Sequence, residues 1–263
     1  MSILTRDGRP VVPVVMEGYH RARRERIRGQ AGRIYRDGQC YVAVVVEVPE
    51  PPFLQPNDGL GVDLGLVHLA ADSDGQTHSG GPVHGLRKRP AQIRQRLQKK
   101  GIQSAKRLLQ KRRRTAHRFA ENENHRIAKQ LVAKAQGTGR GIALEDLTGI
   151  RDRITVQKAR RRRQHSGAFH PLRQCLQYQA KWAAVPVALV NSRNTSRTCP
   201  HWGRIDKRNR PNQASFRCIG WGFAGPADPI AAGNIARRAA VNPPHAGPLR
   251  EAQASSAPLG RGC

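Results

Sequence analysis

Short apolar runs rich in β-branched residues predict strands in the first part of the chain. Tyr41–Val48 consists of Tyr-Val-Ala-Val-Val-Val-Glu-Val, a composition that favours an extended strand. Gly32–Tyr35 is its predicted hairpin partner, with Asp37 and Gly38 as the connecting turn. A stiff linker is predicted next from four closely spaced prolines, which are Pro49, Pro51, Pro52 and Pro56.

Further strands follow at intervals along the chain. Leu60–Gly65 and Val67–Ala71 are predicted strands, and the turn at Asp74-Gly75 returns the chain to a third short one. Ile142–Leu147 is apolar on both faces, which is typical of a buried central strand. Val187–Val190 is one more short apolar strand.

Apolar residues at helical spacing predict a pair of basic helices between these strands. Leu86–Arg118 carries an apolar stripe and is the first helix. A second helix follows through Phe119, Ile127, Leu131 and Val132. Together they predict a helical hairpin, inserted over residues 86–135. A later helix is predicted from the spacing of Phe169, Leu172, Cys175, Leu176 and Ala183.

Strands separated by helices indicate an α/β fold, here a mixed sheet with the long hairpin inserted into it. The predicted organisation is a β-rich segment at residues 1–57, a core at 58–190, a small module at 191–225 and a final helix at 226–240. The tail at 241–263 is rich in Pro, Ala, Gly and Ser without periodicity, so we expect it to be disordered.

Composition points to a polyanionic partner. The chain has 47 Lys and Arg against 18 Asp and Glu, a formal charge of +29 and a pI near 11.5. Nucleic acid is the first candidate and an anionic membrane surface the second. However, no apolar run approaches the ~20 residues of a spanning helix. We expect a prokaryotic cytoplasmic, nucleoid-associated protein, since the N-terminus shows no signal pattern and five cysteines suggest no disulfide framework.

Residues 86–118 contain fourteen Lys or Arg and no acidic residue. A run of this kind is often only a solvated surface, but unrelieved like charges repel and favour contact with a polyanion. A second basic segment ends in four consecutive arginines. The predicted nucleic-acid-binding residues are Arg94, Arg96, Lys99, Lys100, Lys106, Arg107, Lys111, Arg112, Arg113, Arg114, Arg160, Arg161, Arg162 and Arg163.

Three carboxylates stand in apolar surroundings. Asp63 shares its side of the strand with Gly61 and Gly65, whose small size predicts room for an ion and a phosphate, although such an Asp can also cap a turn. Glu145 lies in the predicted central strand, where an ionised carboxylate requires a metal or a cationic partner. Asp228 precedes Pro229 at the start of a helix and is equally well interpreted as its N-cap.

The three acids taken together predict a metal-dependent nuclease. Two-metal phosphodiester cleavage requires acids from separate elements that converge on ions ~3.5–4 Å apart. Hard cations such as Mg²⁺ take oxygen ligands of this kind. Asp63, Glu145 and Asp228 are therefore the predicted catalytic, Mg²⁺-binding residues.

Several motifs, in order, resemble the transposon-encoded OrfB/TnpB family. Gly61–Gly65 with Ala71–Gly75, and Ala143–Leu147, resemble its first two RuvC motifs. His165–Phe169 with Leu172 resembles the connecting helix of that family. Thr195–Pro200 with Phe216–Cys218 resembles its zinc ribbon. Its third RuvC motif is resembled by Asp228 with Ala231, Ala232, Asn234 and Ile235. The resemblance covers roughly Gly29 to Arg238.

This resemblance implies an RNase H-like fold and an RNA-guided, Mg²⁺-dependent DNA endonuclease related to compact type V CRISPR nucleases. It also implies DNA and a structured guide-type RNA as partners. By motif position it assigns metal binding to Asp63, Glu145 and Asp228, and vestigial zinc binding to Cys199 and Cys218.

The chain departs from the family in three ways. A structural zinc site needs two Cys-x₂-Cys pairs, but Trp202 and Trp221 occupy both second positions and offer zinc no lone pair. We therefore expect no stable zinc and treat Cys199 and Cys218 as relics. Few residues precede the strand at Tyr41 where the family has a long recognition region, so we expect an N-terminal truncation. Ile230 replaces the usual Asn two residues after the acid.

Two functions remain open at this point. The first is a truncated OrfB/TnpB-type endonuclease that hydrolyses phosphodiester bonds at the three acids. The second is a catalytically inactive nucleic-acid-binding remnant that keeps only the cationic surface. A ribosome-associated basic protein would fit the charge, but it would leave Glu145 in an apolar strand unexplained.

Overall fold

The computed structural model describes residues 2, 6–36, 38–49, 51–52, 54–65, 67–81, 96–99, 101–146 and 169–241. The chain divides into two compact units, residues 1–51 and 52–263. Three sets of predictions lie outside the described residues. These are the nucleic-acid-binding roles of Arg94, Lys100 and Arg160–Arg163, the His165–Phe169 motif apart from the helical Phe169, and the tail beyond Val241.

The first unit contains the predicted hairpin. Helix α1 spans Gly18–Arg21, and strands β1 (Ile27–Arg36) and β2 (Gln39–Val46) pair antiparallel. The turn is tight, since Arg36 pairs with Gln39 and Gly38 adopts a φ of +81° that favours glycine. Strand β1 begins earlier than predicted, and its register is irregular between Arg28 and Gly32. Its side chains are mostly exposed, so the sequence carried little alternation to mark where it begins.

The second unit is built on a five-stranded mixed sheet. Its strands are β3 (Gly59–Asp63), β4 (His68–Asp72), β5 (Thr77–Ser79), β6 (Gly141–Asp146) and β7 (Val187–Asn191). They lie in the order β5-β4-β3-β6-β7. The β3–β4 and β4–β5 pairs are antiparallel, and the β3–β6 and β6–β7 pairs are parallel. The predicted mixed α/β core, with a central strand at residues 142–147, is confirmed in the described part.

Helices cover both faces of this sheet. Alternate residues of β3 and β6, such as Leu60, Val62 and Leu144, pack in one apolar cluster with two helices, α2 (Gln103–Gly137) and α3 (Phe169–Trp182). The opposite face carries a smaller cluster that includes Ala143 and Ile235, the latter from helix α4 (Ala227–Val241). The period-2 alternation of a strand thus assigns each residue of β3 and β6 to one of the two helical layers.

The predicted helical hairpin is not confirmed. Helix α2 runs unbroken through Arg118 and Phe119, where the sequence pattern indicates two helices. No glycine or proline occurs between Gln103 and Gln136, and Lys, Arg, Gln, Ala and Leu all favour helix, so nothing interrupts it. Residues 86–95 of the predicted first helix lie outside the described residues, and residues 96–99 are helical.

A small module, residues 195–226, precedes α4. It contains the short strands β8 (Ser215–Arg217) and β9 (Ala224–Pro226), which pair antiparallel. Its core is the buried cluster of Cys199, Phe216, Cys218 and Ala227, against which Phe223 and Ile230 pack. Ile230, the residue that departs from the OrfB/TnpB pattern, therefore serves as an apolar contact between α4 and this module.

Candidate active site

Two neighbouring parallel strands place Asp63 and Glu145 side by side. Val62 is paired with Leu144 in the β3–β6 register, and one further step along both strands sets Asp63 beside Glu145. Because residues two apart share a face, Asp63 follows Gly61, and Glu145 follows Ala143, on the face covered by α4. Both acids therefore end their strands on the face that carries the third acid.

Helix α4 brings Asp228 to the same face. The helix packs directly on β3, because a Cβ added to Gly61 would lie 1.9 Å from the carbonyl oxygen of Ala232 and 2.7 Å from the amide nitrogen of Ala236. The space beside Gly61 was predicted to admit an ion and a phosphate. That prediction is wrong, since the backbone of α4 fills it. Glycine is needed here so that α4 can approach the strand closely.

The side chain of Asp228 has two cationic or polar neighbours. Its Oδ2 lies 2.8 Å from Nδ1 of His68, at the start of β4, and its Oδ1 accepts a 3.5 Å hydrogen bond from Arg210 Nη2. The helix begins at Ala227, so Asp228 stands inside the first turn. Arg210 comes from the small module and His68 from the sheet, so this acid joins three parts of the fold.

Glu145 is held by a threonine of the small module. The Thr195 hydroxyl donates a short hydrogen bond to Oε1 of Glu145. Thr195 is itself fixed by Asn234 of α4, whose amide donates 2.8 Å hydrogen bonds to the carbonyl oxygens of Thr195 and Thr198. Asp146 has the opposite orientation, as predicted, and accepts a hydrogen bond from Arg173.

The three acids are electrostatically coupled. Burial, together with the charges of Glu145 and Asp228, raises the pKa of Asp63 from its ordinary 3.8 to about 7. Arg210 and the backbone N–H of Leu64 act in the opposite direction. Burial also raises the pKa of Glu145, although the Thr195 hydroxyl and the nearby arginines oppose the rise. Burial is thus the largest cause of both raised pKa values, and the neighbouring acids add to it at Asp63.

The three acids are the kind of ligand that a hard cation prefers, but their side chains do not converge on one point. A divalent ion would favour the ionised form of Asp63, whose pKa is raised by burial and by the two neighbouring acids, and oxygen is the donor that Mg²⁺ prefers. Within the described residues, however, no three His, Cys, Asp or Glu side chains stand close enough to hold a metal ion together. Asp228 instead faces His68 and Arg210.

Sequence reasoning missed the residues that hold these acids in place. His68, Thr195 and Arg210 are separated from their acid partners along the chain, and His68 precedes Asp228 by 160 positions. Thr195 begins the motif that resembles a zinc ribbon, but the motif gives this threonine no role. The one available signal was that Thr195 lies four residues after β7, the strand that neighbours β6, since parallel strands end at the same edge.

The small module does not offer a zinc site. Cys199 and Cys218 are buried beside each other, and the Cys199 thiol is among the groups that lower the pKa of Cys218. Trp202 and Trp221, at the positions where a ribbon has its other two ligands, contact one another with ring centroids 5.4 Å apart. Two thiols with two indoles do not match the four-ligand requirement of structural zinc.

The cationic residues of α2 are exposed along its first half. Only Ala105 is buried between Gln103 and Asn124, whereas the second half packs into the core. Arg96 and Lys99 are also exposed. The predicted nucleic-acid-binding residues on α2 are all exposed; they are Lys106, Arg107, Lys111, Arg112, Arg113 and Arg114. No helix in the described part of the chain is long and apolar enough to cross a membrane.

Parts of the chain are similar to known proteins. The family model described as "Cas12f1-like, TNB domain" matches residues 169–235. A CRISPR-associated endodeoxyribonuclease Cas12f1 of Sulfoacidibacillus thermotolerans is 36% identical over 119 residues, which are 45% of this chain and 27% of the relative. A TnpB-like protein of Methanocaldococcus jannaschii is 32% identical over 124 residues, 46% of this chain and 43% of the relative.

A solved structure shares the fold. The cryo-EM structure of a Cas12f1–sgRNA–target DNA complex matches with a TM-score of 0.55 at 18% identity, over 75% of this chain and 52% of that chain. These matches support the resemblance to TnpB/OrfB-type RuvC-like nucleases over the matched regions. The chain matches 27% of the length of the Cas12f1 relative and 43% of the length of the TnpB-like relative, less than half of each.

Proposed function

We propose that this protein is a Mg²⁺-dependent DNA endonuclease of RuvC type, built on an RNase H-like fold. The observation that carries the proposal is the electrostatic coupling of Asp63 with Glu145 and Asp228, three acids delivered by β3, β6 and α4. The sheet order supports the RNase H-like assignment, since an antiparallel β3-β4-β5 meander is extended by two parallel strands.

Asp63, Glu145 and Asp228 would hold the ion. A bound divalent cation would supply the positive charge that activates water and stabilises the leaving oxygen. The residues of the chain fix the acids around it. Thr195 orients the Glu145 carboxylate, and His68 and Arg210 orient that of Asp228. Because the pKa of Asp63 is about 7 without metal, protons compete with cations for this carboxylate, so activity falls as the pH drops below 7.

The first half of α2 would bind the nucleic acid. Its basic residues are exposed and no acidic residue occurs between Gln103 and Ala120, so phosphates meet a surface of one sign. DNA as substrate and a structured guide-type RNA as partner are proposed on this charge and on the match to a Cas12f1–sgRNA–target DNA complex. Transposon-encoded origin is proposed from the TnpB-like relative.

Cleavage of single-stranded DNA tests the assignment. Wild-type protein with Mg²⁺ is compared with Asp63→Asn and Glu145→Gln, and each variant is expected to lose more than about 100-fold in rate, because losing a direct ligand exceeds the 10–100-fold effect typical of groups behind the ligands. Asp146→Asn is the matched control, since Asp146 lies next to Glu145 and faces away from the site. Equal rates for Asp63→Asn and wild type would dismiss the assignment.

A second candidate, a catalytically inactive nucleic-acid-binding remnant, is favoured by one observation. Asp228 is engaged by His68 and Arg210, and the described residues contain no three-ligand metal group. Thermal unfolding with and without Mg²⁺ separates the two candidates, because only a protein that binds the ion in its folded state is stabilised by it. The remnant would bind DNA equally well in EDTA and would show no change in Tm.

A further inference from the structure

Two turns of the small module have the same local structure. The sequences Cys199-Pro-His-Trp-Gly and Cys218-Ile-Gly-Trp-Gly share the pattern Cys-x-x-Trp-Gly. In each, the glycine amide donates a 2.9 Å hydrogen bond to the carbonyl oxygen of the cysteine. The two glycines, Gly203 and Gly222, have φ angles of +68° and +75°, a conformation that L side chains rarely adopt.

The paired turns present two tryptophans to solvent. Cys199 and Cys218 are buried in the core of the module, whereas Trp202 is 67% exposed and Trp221 is 59% exposed. The two indole rings contact one another with an interplanar angle of 46°. Side chains of this size are normally well covered in a folded protein, so an exposed pair on fixed turns marks a contact surface.

Cations flank this tryptophan pair. A Cβ added to Gly220, the residue before Trp221, would lie 3.6 Å from Arg204 Nη1. Arg237 Nη1 donates a 2.6 Å hydrogen bond to the carbonyl oxygen of Pro200, two residues before Trp202. Residues 195–205 and 215–225 include no Asp or Glu. Exposed indole faces beside guanidinium groups suit a partner that is both aromatic and anionic.

We propose that Trp202 and Trp221 form a stacking platform for an unpaired base of single-stranded DNA, with Arg204 and Arg237 beside its phosphates. Base stacking on aromatic side chains next to a basic groove is the general mode of sequence-tolerant single-strand binding. The choice of DNA rests on the proposed function, because the module that carries the platform also contributes Thr195 and Arg210 to the acidic site. The two tryptophans thus bind a base from the positions where a zinc ribbon has two of its ligands.

Tryptophan fluorescence tests the platform directly. Trp182→Phe leaves Trp202 and Trp221 as the only tryptophans, and EDTA removes any contribution from cleavage. Oligo(dT), an abasic oligonucleotide of equal length and oligo(U) are then titrated. We expect strong quenching by oligo(dT) and little by the abasic strand, which has the same phosphates. Equal quenching by the abasic strand would overturn the stacking proposal, and quenching by oligo(U) alone would overturn the assignment to DNA.

Substitution separates stacking from a purely structural role. Trp202→Leu and Trp221→Leu keep an apolar side chain on each turn, and each is expected to weaken oligo(dT) binding about 10-fold. Affinity for the abasic strand, and the salt dependence of binding, are expected to stay unchanged. If the substitutions weaken binding of both oligonucleotides equally, the tryptophan pair only stabilises the two turns and the proposal fails. The titrations are made in EDTA and require no cleavage, so failure of the nuclease assignment leaves this test intact.

Discussion

The raised pKa of Asp63 predicts that this acid destabilises the metal-free protein at neutral and alkaline pH. An acid whose folded-state pKa exceeds its ordinary value binds more protons folded than unfolded. The free energy of unfolding therefore falls as the pH rises from 3.8 to about 7, and stays reduced above that range. Asp63→Asn removes the carboxylate and with it this loss, so the variant is expected to be more stable than wild type at pH 8.

The magnitude follows from the size of the shift. Each pKa unit corresponds to about 1.4 kcal/mol, so a rise from 3.8 to about 7 amounts to about 4 kcal/mol at pH 8. The amide of asparagine has a similar shape and no charge, and it also relieves the repulsion on Glu145. Below pH 4 the two proteins are expected to converge, because Asp63 is then protonated in both the folded and the unfolded state.

Urea unfolding in EDTA at pH 5, 6, 7 and 8 measures this difference. The gain in stability of Asp63→Asn over wild type is expected to grow with pH and to shrink when Mg²⁺ is added to both proteins. Asp146→Asn, which removes an acid outside the cluster, provides the matched control. A gain that is absent, or independent of pH, would refute the claim that the three acids share one desolvated space.

Further predictions concern the packing and charge of the fold. Gly61→Ala is expected to lower the free energy of unfolding by about 3 kcal/mol, because the new Cβ meets the backbone of Ala232, which cannot rotate away. Lys134→Met is expected to destabilise by about 3 kcal/mol, since it leaves the fully buried Asp72 without its 2.5 Å ion pair. Both are measured by urea unfolding. A third prediction replaces four basic residues of α2 with glutamine: Lys106, Arg107, Lys111 and Arg113. The affinity for single-stranded DNA is measured by fluorescence anisotropy at several salt concentrations. The slope of log K against log salt is expected to become shallower by about 0.7 for each phosphate that is no longer neutralised.

Each of these has a control within the same elements. Gly233→Ala lies in α4 with open space around it, so it is expected to be neutral or stabilising by up to about 1 kcal/mol. Lys129→Met removes an exposed lysine from the same helix as Lys134 and is expected to change little. Stability losses no larger than those of these controls would contradict the packing arguments. An unchanged salt slope would show that α2 does not contact phosphates.

The local sequence pattern was enough to predict the sheet, but it did not predict the residues that contact the three acids. Strands β3, β4, β6 and β7 were each predicted within a few residues, because period and composition are properties of a short segment. The same holds for α3 and for the turn at Asp74-Gly75. The unbroken α2 was within reach as well, since the absence of glycine and proline argues against a turn at Phe119.

Contacts between distant segments could not be predicted from single patterns. The role of Gly61 depends on how closely α4 approaches β3, and small size alone was wrongly interpreted as space for a ligand. The partners of Glu145 and Asp228 depend on the path of the small module, which returns Thr195 and Arg210 to the sheet. The excess of basic residues indicated a polyanionic partner, but a total charge does not show which residues lie next to the three acids.

The return of Thr195 and Arg210 across the sheet limits how far this protein can be shortened. Residues 58–190 were predicted as the core, yet a fragment ending at Asn191 would lack Thr195, the hydroxyl donor to Glu145, and would also lack Asp228 and Arg210. A fragment that keeps the three acids and their hydrogen-bond partners must therefore extend through α4.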